Sequence, residues 1–382
     1  MRGEVPVRIK VLVNAIPLIN IGTGIGRYLK CLYTEMEKSY SDRLEISYFD
    51  GVKVSSTMPT APEDLARWSR GVDLFWKLPA YPALLLRLGM HYKREIVFNR
   101  LVKGFDLYHE AGFFPFTAPS HVKTVFTLHD LSVLRFPDQH PLERVLYYRL
   151  FLRGRCKKVD HFLTVSGFTQ KEMERWLDIE SKTISVTHLA HDPTLFYPKQ
   201  PKEVNRFLAE KGLPERYFLF VGSGDPRKNL DIIPDALKKA GLQEPLVVSG
   251  WSGWSNRVSW NNVIPLGYIS DKELACLYSG ALGMILPSSY EGFGLPLLEA
   301  MACGCPVVTA REASLPEVAG DAALYMKGPR DIESLAEILG HIATTPDACL
   351  KLTEKGLKRA RAFSWYHTAQ TTFRTFERVL GI

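Results

Sequence analysis

The sequence predicts an α/β protein of two doubly wound domains, and three observations carry that expectation. Short apolar runs of strand length alternate with helix-length segments, joined by loops that contain glycine. The alternation breaks at a turn-rich, charged stretch near residues 192–203 and restarts at Tyr217. A chain of 382 residues also exceeds one ordinary core.

Composition narrows the class. Hydrophobic residues make up 46% and charged residues 23%, as in soluble globular proteins. No N-terminal run has the length of a signal peptide or a membrane span. Six scattered cysteines (Cys31, Cys156, Cys276, Cys303, Cys305 and Cys349) read as reduced thiols of a cytoplasmic protein. Cys303-Gly304-Cys305 lacks the second pair that a zinc site needs. The net charge of +7 is uneven: residues 1–190 hold 27 Lys/Arg against 20 Asp/Glu, and the remainder balances at 21 each.

In chain order, Arg8–Asn14 reads as a first strand, followed by Gly22-Thr23-Gly24-Ile25-Gly26-Arg27 and a helix to about Lys38. A glycine loop between strand and helix brings backbone close to phosphate. The dinucleotide fingerprint would need a third glycine where Arg27 stands, which disfavours a nicotinamide or flavin enzyme. Residues 65–103 interleave Trp68, Phe75, Trp76, Tyr81, Leu85 and Tyr92 with eight basic residues against two acidic ones. That mixture suits an anionic membrane surface, with two ordinary half-buried helices as the alternative. No recognisable nucleic-acid module accompanies it, so a nucleic-acid partner is not expected.

The strand Val122–Leu128 ends at His129-Asp130. Ligands of open parallel sheets bind beyond the carboxyl ends of strands, which makes His129 a site candidate. After the strand 161–165, Ser166 or Thr169 caps a helix, and Thr169–Glu172 has capping-box spacing. The linker is expected around residues 192–203. In the second half, Tyr217–Gly222 leads to Ser223-Gly224-Asp225-Pro226-Arg227-Lys228-Asn229. Cations oppose the dipole of a helix N-terminus, so Arg227 and Lys228 ask for an anionic ligand. The strand 246–250 follows, then three tryptophans (Trp251, Trp254, Trp260) and the run Val263–Ile269. Helices are expected around 331–343, 347–360 and from Trp365 to Leu380.

The most informative stretch is Pro287-Ser288-Ser289-Tyr290-Glu291-Gly292-Phe293-Gly294-Leu295-Pro296-Leu297-Leu298-Glu299-Ala300-Met301-Ala302-Cys303-Gly304. The apolar run 281–286 before it is a buried strand, and Pro296 fits the first turn of the helix that follows. Such a junction directs N–H groups and the positive end of a helix dipole at one anion. Glu291 and Glu299 cannot neutralise a phosphate, so their work is to accept hydrogen bonds from hydroxyls beside it. Hydroxyls flanking a phosphate describe a sugar nucleotide.

This stretch, followed by Pro306–Ala310, resembles the signature of the retaining family-4 (group 1) glycosyltransferases. The resemblance implies a GT-B architecture: two Rossmann-like domains facing across a cleft, with residues 1–197 binding the acceptor and residues 198–362 the nucleotide sugar. Residues 363–382 would pack back on the N-terminal domain. It further implies hexose transfer with retention, without a metal, from a nucleoside diphosphate sugar. His129, Glu291, Lys228 and Arg227 would be catalytic. Gly24, Gly26, Ser223, Gly250, Tyr268, Ile269, Phe293, Gly294, Leu295 and Glu299 would bind the donor. Ser223 stands where many members have Arg, so Arg227 would supply that charge. The His-Asp strand end and the Asp-Pro-Arg-Lys-Asn loop resemble those of mannosyl- and rhamnosyltransferases of surface-polysaccharide assembly, which favours mannose and a saccharide or lipid-linked saccharide acceptor. An epimerase or phosphorylase on the same fold, or a silent sugar-nucleotide-binding subunit, are the alternatives. A phosphorylase needs a cofactor lysine that cannot be identified, epimerases lack this Glu-x7-Glu loop, and the intact Glu291, Glu299, Lys228 and His129 argue against a silent subunit.

Overall fold

The structure is a computed structural model that describes residues 8–19, 24–60, 78–250 and 262–382. The expectations on Gly22 and Thr23, on residues 65–77, and on Trp251, Trp254 and Trp260 lie outside the described residues. Those described fall into two compact units: the chain up to His188 with Trp365–Ile382, and Leu189–Ser364.

Among the described residues, the first unit has seven strands: β1 (Ile9–Asn14), β2 (Leu44–Phe49), β3 (Val54–Ser55), β4 (Leu107–Glu110), β5 (Lys123–Leu128), β6 (His161–Thr164) and β7 (Ile184–Val186). Their order is β3-β2-β1-β4-β5-β6-β7. Every pairing is parallel except β2 with β3. The helices are α1 (Gly24–Tyr40), α2 (Ala80–Leu101), α3 (Ser132–Arg135), α4 (Leu142–Cys156) and α5 (Gly167–Leu177). Cover on both faces buries β4 and β6 along their length and β1 and β5 at all but one position each. Two aromatic-rich clusters fill the unit, one around Phe126, Phe151 and Phe162 and one around Phe49, Phe98 and Tyr108. The cap of α5 is Ser166, whose side chain accepts from the Thr169 N–H, so the capping-box spacing at Thr169–Glu172 is not the one that starts the helix.

The second unit has β8 (Phe218–Val221), β9 (Leu246–Ser249), β10 (Val263–Gly267), β11 (Gly283–Leu286), β12 (Val307–Ala310) and β13 (Leu324–Met326), all parallel in the order β10-β9-β8-β11-β12-β13. Its helices are α6 (Pro201–Lys211), α7 (Ile232–Lys239), α8 (Asp271–Gly280), α9 (Leu295–Ala302), α10 (Leu315–Ala319), α11 (Ile332–Thr344) and α12 (Pro346–Ala360). A last helix, α13 (Trp365–Leu380), belongs to the first unit. There Phe373 stacks on Tyr40 of α1 at 4.1 Å and Glu377 accepts from Arg43 at 2.8 Å.

The division falls after His188, earlier than the expected boundary at residue 197. Phe196 explains the shift: it is buried and its ring meets Tyr278 of α8, so residues 189–197 pack with the second unit. In both sheets the strand order reverses once, between β1 and β4 and between β8 and β11. Each switch point opens a crevice at the carboxyl ends of its own strands, where ligands of such sheets bind. Among the described residues, no helix is long and apolar enough to cross a membrane.

Candidate active site

In the second unit, the loops leaving β8 and β11 meet at the switch point. The β8 loop is shaped by Asp225, whose side chain accepts from the Arg227 N–H at 3.1 Å and starts a short 3-10 turn over Pro226–Lys228. Asn229 ends that turn in the left-handed region, at φ 48°. Its buried amide donates to the carbonyls of Pro287 (2.8 Å) and Pro329 (3.1 Å) and to Ser289 Oγ (2.8 Å). The Ser289 N–H donates to the Arg227 carbonyl at 2.8 Å. The two loops are thus stitched by backbone and by one buried amide, which costs little entropy once the strands are set.

This stitching brings Lys228 to Glu291: Nζ donates to Oε1 at 2.8 Å, and both side chains are largely shielded from water. Ser288 Oγ donates to the same oxygen at 2.9 Å, and Ser314 Oγ donates to the Glu291 carbonyl at 2.8 Å. Lys228 keeps two further N–H donors, since an ammonium carries three. Arg227 is held within its own loop. Its Nε donates to Asp225 Oδ1 at 3.0 Å and its Nη2 to Oδ2, while the guanidinium lies over the Tyr290 ring. Burial opposes ionisation of Asp225, but the Arg227 bonds and charge outweigh it and hold the carboxyl below its usual range. Both cations are thus ion-paired, Arg227 to Asp225 within its own loop and Lys228 to Glu291 across the junction.

Gly294 is the N-cap of α9 at φ 97°, and a Cβ there would stand 2.9 Å from Leu315 Cδ2. Phe293 is buried against Phe363. Leu295 and Pro296 open the helix, whose first N–H groups have no acceptor within it. Glu299 is buried two turns in, with the Tyr278 hydroxyl donating to Oε2 at 3.3 Å. Gly250 touches the Gly222 peptide: a Cβ on Gly250 would sit 2.0 Å from the Gly222 oxygen. Ser223 follows that contact, half-buried. Tyr268 is 66% exposed whereas Ile269 is buried, and the Gly250 N–H donates to the Gly267 carbonyl at 2.8 Å.

In the first unit, Gly24 opens α1 and Gly26 is buried within it. His129 follows β5 directly. Its ring meets Tyr28 of α1 edge-on at 4.8 Å, and the Tyr28 hydroxyl bonds Thr127 Oγ1 at 3.0 Å. The Ala111 backbone lies where it favours a protonated His129 ring, and Nε2 is buried with no partner among the described residues. That pattern fits a proton on Nδ1 and a lone pair on Nε2. Burial drives the imidazole pKa down to about 4, so the ring is neutral near pH 7. Asp130 accepts from the Ser132 N–H at 2.8 Å and shapes the turn after the strand.

Family models match most of the chain: Glycosyltransferase Family 4 over residues 50–195 and Glycosyl transferases group 1 over residues 201–359. The chain is 32% identical over 375 residues to the O-antigen chain mannosyltransferase B of Escherichia coli, covering 93% of this chain and 96% of that one. The chain belongs to the group 1 glycosyltransferases. This glycosyltransferase is also 26% identical to the O-antigen chain mannosyltransferase RfbU of Salmonella typhimurium, over 88% of this chain and 92% of that protein. Among solved structures it superposes on sucrose-phosphate synthase from Thermosynechococcus elongatus with a TM-score of 0.72 at 19% identity, covering 98% and 100% of the two chains. WaaG, a glycosyltransferase of lipopolysaccharide biosynthesis, gives 0.68 at 16% identity, with the same coverage. Likeness at such identities establishes the fold, which is GT-B.

Sequence reasoning did not single out Asn229, Ser288, Ser314, Tyr28 or Glu110 for the glycosyltransferase site. Asn229 carried a signal, since an asparagine closing a Pro-initiated turn is suited to the left-handed region. Ser314 reaches Glu291, and Asn14 reaches Glu110, from segments distant in sequence, which no local pattern marks; Ser288 bonds Glu291 within one loop.

Proposed function

We propose that the protein transfers mannose, with retention, from a nucleoside diphosphate sugar to a saccharide acceptor carried on lipid during surface-polysaccharide assembly. The carrying observation is the Lys228–Glu291 contact beside the N-terminus of α9. Departure of the diphosphate builds charge, and preorganised N–H groups at Phe293, Gly294 and Leu295 with Lys228 stabilise that charge more than the ground state. Arg227, locked to Asp225, shapes the loop that presents Lys228. Glu291 accepts hydrogen bonds from the sugar hydroxyls and Glu299 from the ribose. Backbone around Tyr268, Ile269 and Gly250 borders the base, with Ser223 near the phosphates. The Nε2 lone pair of His129 accepts a hydrogen bond from a sugar hydroxyl. The leaving phosphate takes the acceptor's proton, so no protein base is assigned and no metal is invoked. Mannose is favoured because two relatives aligned over nearly their whole length are O-antigen mannosyltransferases.

A lipid-linked acceptor implies work at the membrane face, on the cytoplasmic side. The surface of α2 and α4 supports it. Leu85 is 70% and Leu150 61% exposed, with Tyr81, Tyr92, Ile96 and Leu142 also in solvent. Lys93, Arg100, Arg149 and Arg153 are exposed beside them, while Glu95 and Glu143 are tied to Arg155 and Arg87. Neither helix therefore shows water an unpaired carboxylate, and an anionic bilayer complements both features.

Release of nucleoside diphosphate from a panel of sugar nucleotides, with a lipid-linked saccharide present, tests the reading. Turnover with mannose donors and an axial product linkage supports it; turnover confined to another sugar, or none, overturns it. The protein should sediment with phosphatidylglycerol vesicles but not phosphatidylcholine vesicles. A Leu85→Ser/Leu150→Ser variant should lose that binding; equal sedimentation with both vesicles would remove the membrane component.

A further inference from the structure

The switch point of the first unit holds a group that the proposed chemistry leaves unused. Asn14 ends β1 and Glu110 ends the adjacent β4, and the Asn14 amide donates to Glu110 Oε2 at 2.7 Å. The same oxygen accepts from the Tyr108 hydroxyl at 2.5 Å, and Oε1 accepts from the Gly112 N–H at 2.5 Å. Glu110 is 1% exposed. The turn after it is moulded to the carboxylate, because a Cβ on Gly112 would lie 2.7 Å from Oε1. Ala111, at the centre of that turn, is the backbone group that favours the protonated His129 ring.

We propose that Glu110 is a positioning residue for His129: by holding the Ala111–Gly112 turn against the ends of β1 and β4, it aims the Ala111 carbonyl at Nδ1 and so keeps the Nε2 lone pair available to a sugar hydroxyl. This rests on the role given to His129 above. A carboxylate suits the task because it accepts at every face, and its three donors come from β1, from β4 and from the turn itself. Glutamine of the same shape would turn an NH2 toward one of those donors. Burial makes the charge costly here, pushing the Glu110 carboxyl up to about 7 despite its hydrogen bonds. A turn needing only mechanical support would be filled more cheaply by an apolar side chain. Tyr28 works on the same ring from the other side, through its edge contact and its bond to Thr127.

The test reads the tautomer of His129 by its ring 15N shifts in the full chain, together with kcat, donor KM and Tm. Wild type should show the Nδ1–H form. Glu110→Gln should mix the tautomers and lower kcat about tenfold with donor KM within twofold. Asn14→Asp/Glu110→Gln, which exchanges acceptor and donor across the same bond, should restore both. Gly112→Ala, read in the same way, stands in if Glu110→Gln does not fold. A wild-type Nε2–H tautomer overturns the proposal. So does a folded Glu110→Gln protein with a lower Tm but an unchanged tautomer. Because the tautomer is read without substrate, a failure of the sugar-transfer reading would show separately, as a correct tautomer with no turnover.

Discussion

Replacing Lys228 by Met removes one charge while keeping most of the chain that packs beside Gly222. As the sugar–phosphate bond breaks, the departing diphosphate gains about one unit of negative charge. A cation about 4 Å away in a partly shielded site, at an effective dielectric near 20, is worth about 4 kcal/mol against that charge. Spread over several oxygens the differential is nearer 3–4 kcal/mol, so kcat should fall by about 10²–10³-fold. Donor KM should rise less, because much of the interaction develops only along the reaction. Lys228 also neutralises Glu291, and the single variant leaves that carboxylate with Ser288 as its side-chain donor. Lys228→Met/Glu291→Gln separates the two effects: if the loss came only from an unpaired glutamate, the double variant would recover. The assay is release of nucleoside diphosphate at saturating donor, with Tm as a control for folding. A Lys228→Met protein of unchanged Tm that keeps kcat within threefold of wild type would refute the assignment of Lys228 to the leaving group.

Three further outcomes follow from the same geometry. Glu299→Gln keeps the shape but removes an acceptor, so donor KM should rise about tenfold while kcat holds; a fall in kcat alone would exclude ribose binding. Gly250→Ala places a methyl 2.0 Å from the Gly222 oxygen at φ 134°, and should cost more than about 3 kcal/mol of stability in chemical denaturation; a near-neutral ΔΔG would show that the two loops do not meet as described. Stability should also fall on acidification. Burial lowers His109 to about 3 and His129 to about 4, so both bind protons in the unfolded chain first, and their contribution is lost as pH falls from about 6.5 through those values. Glu110, raised by burial to about 7, acts in the opposite sense between pH 4.5 and 7, because there the folded state holds the proton. The three leave a net slope near one proton, about 1.4 kcal/mol per pH unit between pH 4.5 and 6.5, and Glu110→Gln should steepen it toward two. An unchanged slope in that variant would mean that Glu110 does not titrate in this window.

The strand–loop–helix units were legible because their signals are local. The runs at β8 and β11, the glycines at the ends of β8 and β9, and the Gly-Phe-Gly-Leu-Pro junction each lie within a few residues, where periodicity and φ preference act. What escaped was set by contacts between segments. Arg227 and Lys228 are adjacent in sequence and chemically alike, yet one is locked by Asp225 two residues before it and the other is turned toward Glu291. Only the 3-10 turn and the left-handed Asn229 decide which is which. The early domain division has the same origin: Phe196 looks like a linker residue until Tyr278, far along the chain, gives it a core.

The two switch points show how one architecture serves two kinds of polar group. At β8 and β11 the paired residues, Lys228 and Glu291, lie on loops beyond the strand ends, and Lys228 keeps N–H donors beyond the one given to Glu291. At β1 and β4 the paired residues, Asn14 and Glu110, lie on the strands themselves, and their hydrogen-bonding capacity is consumed internally. A ligand can compete for the first pair without unmaking the sheet, whereas loss of the second would release β1 and β4 from each other's ends. On the proposed reading, contact chemistry belongs to residues one loop beyond the strand, and positioning belongs to residues on its last rung. His129, one residue past β5, falls on the contact side of that line, and Glu110, the last residue of β4, on the positioning side.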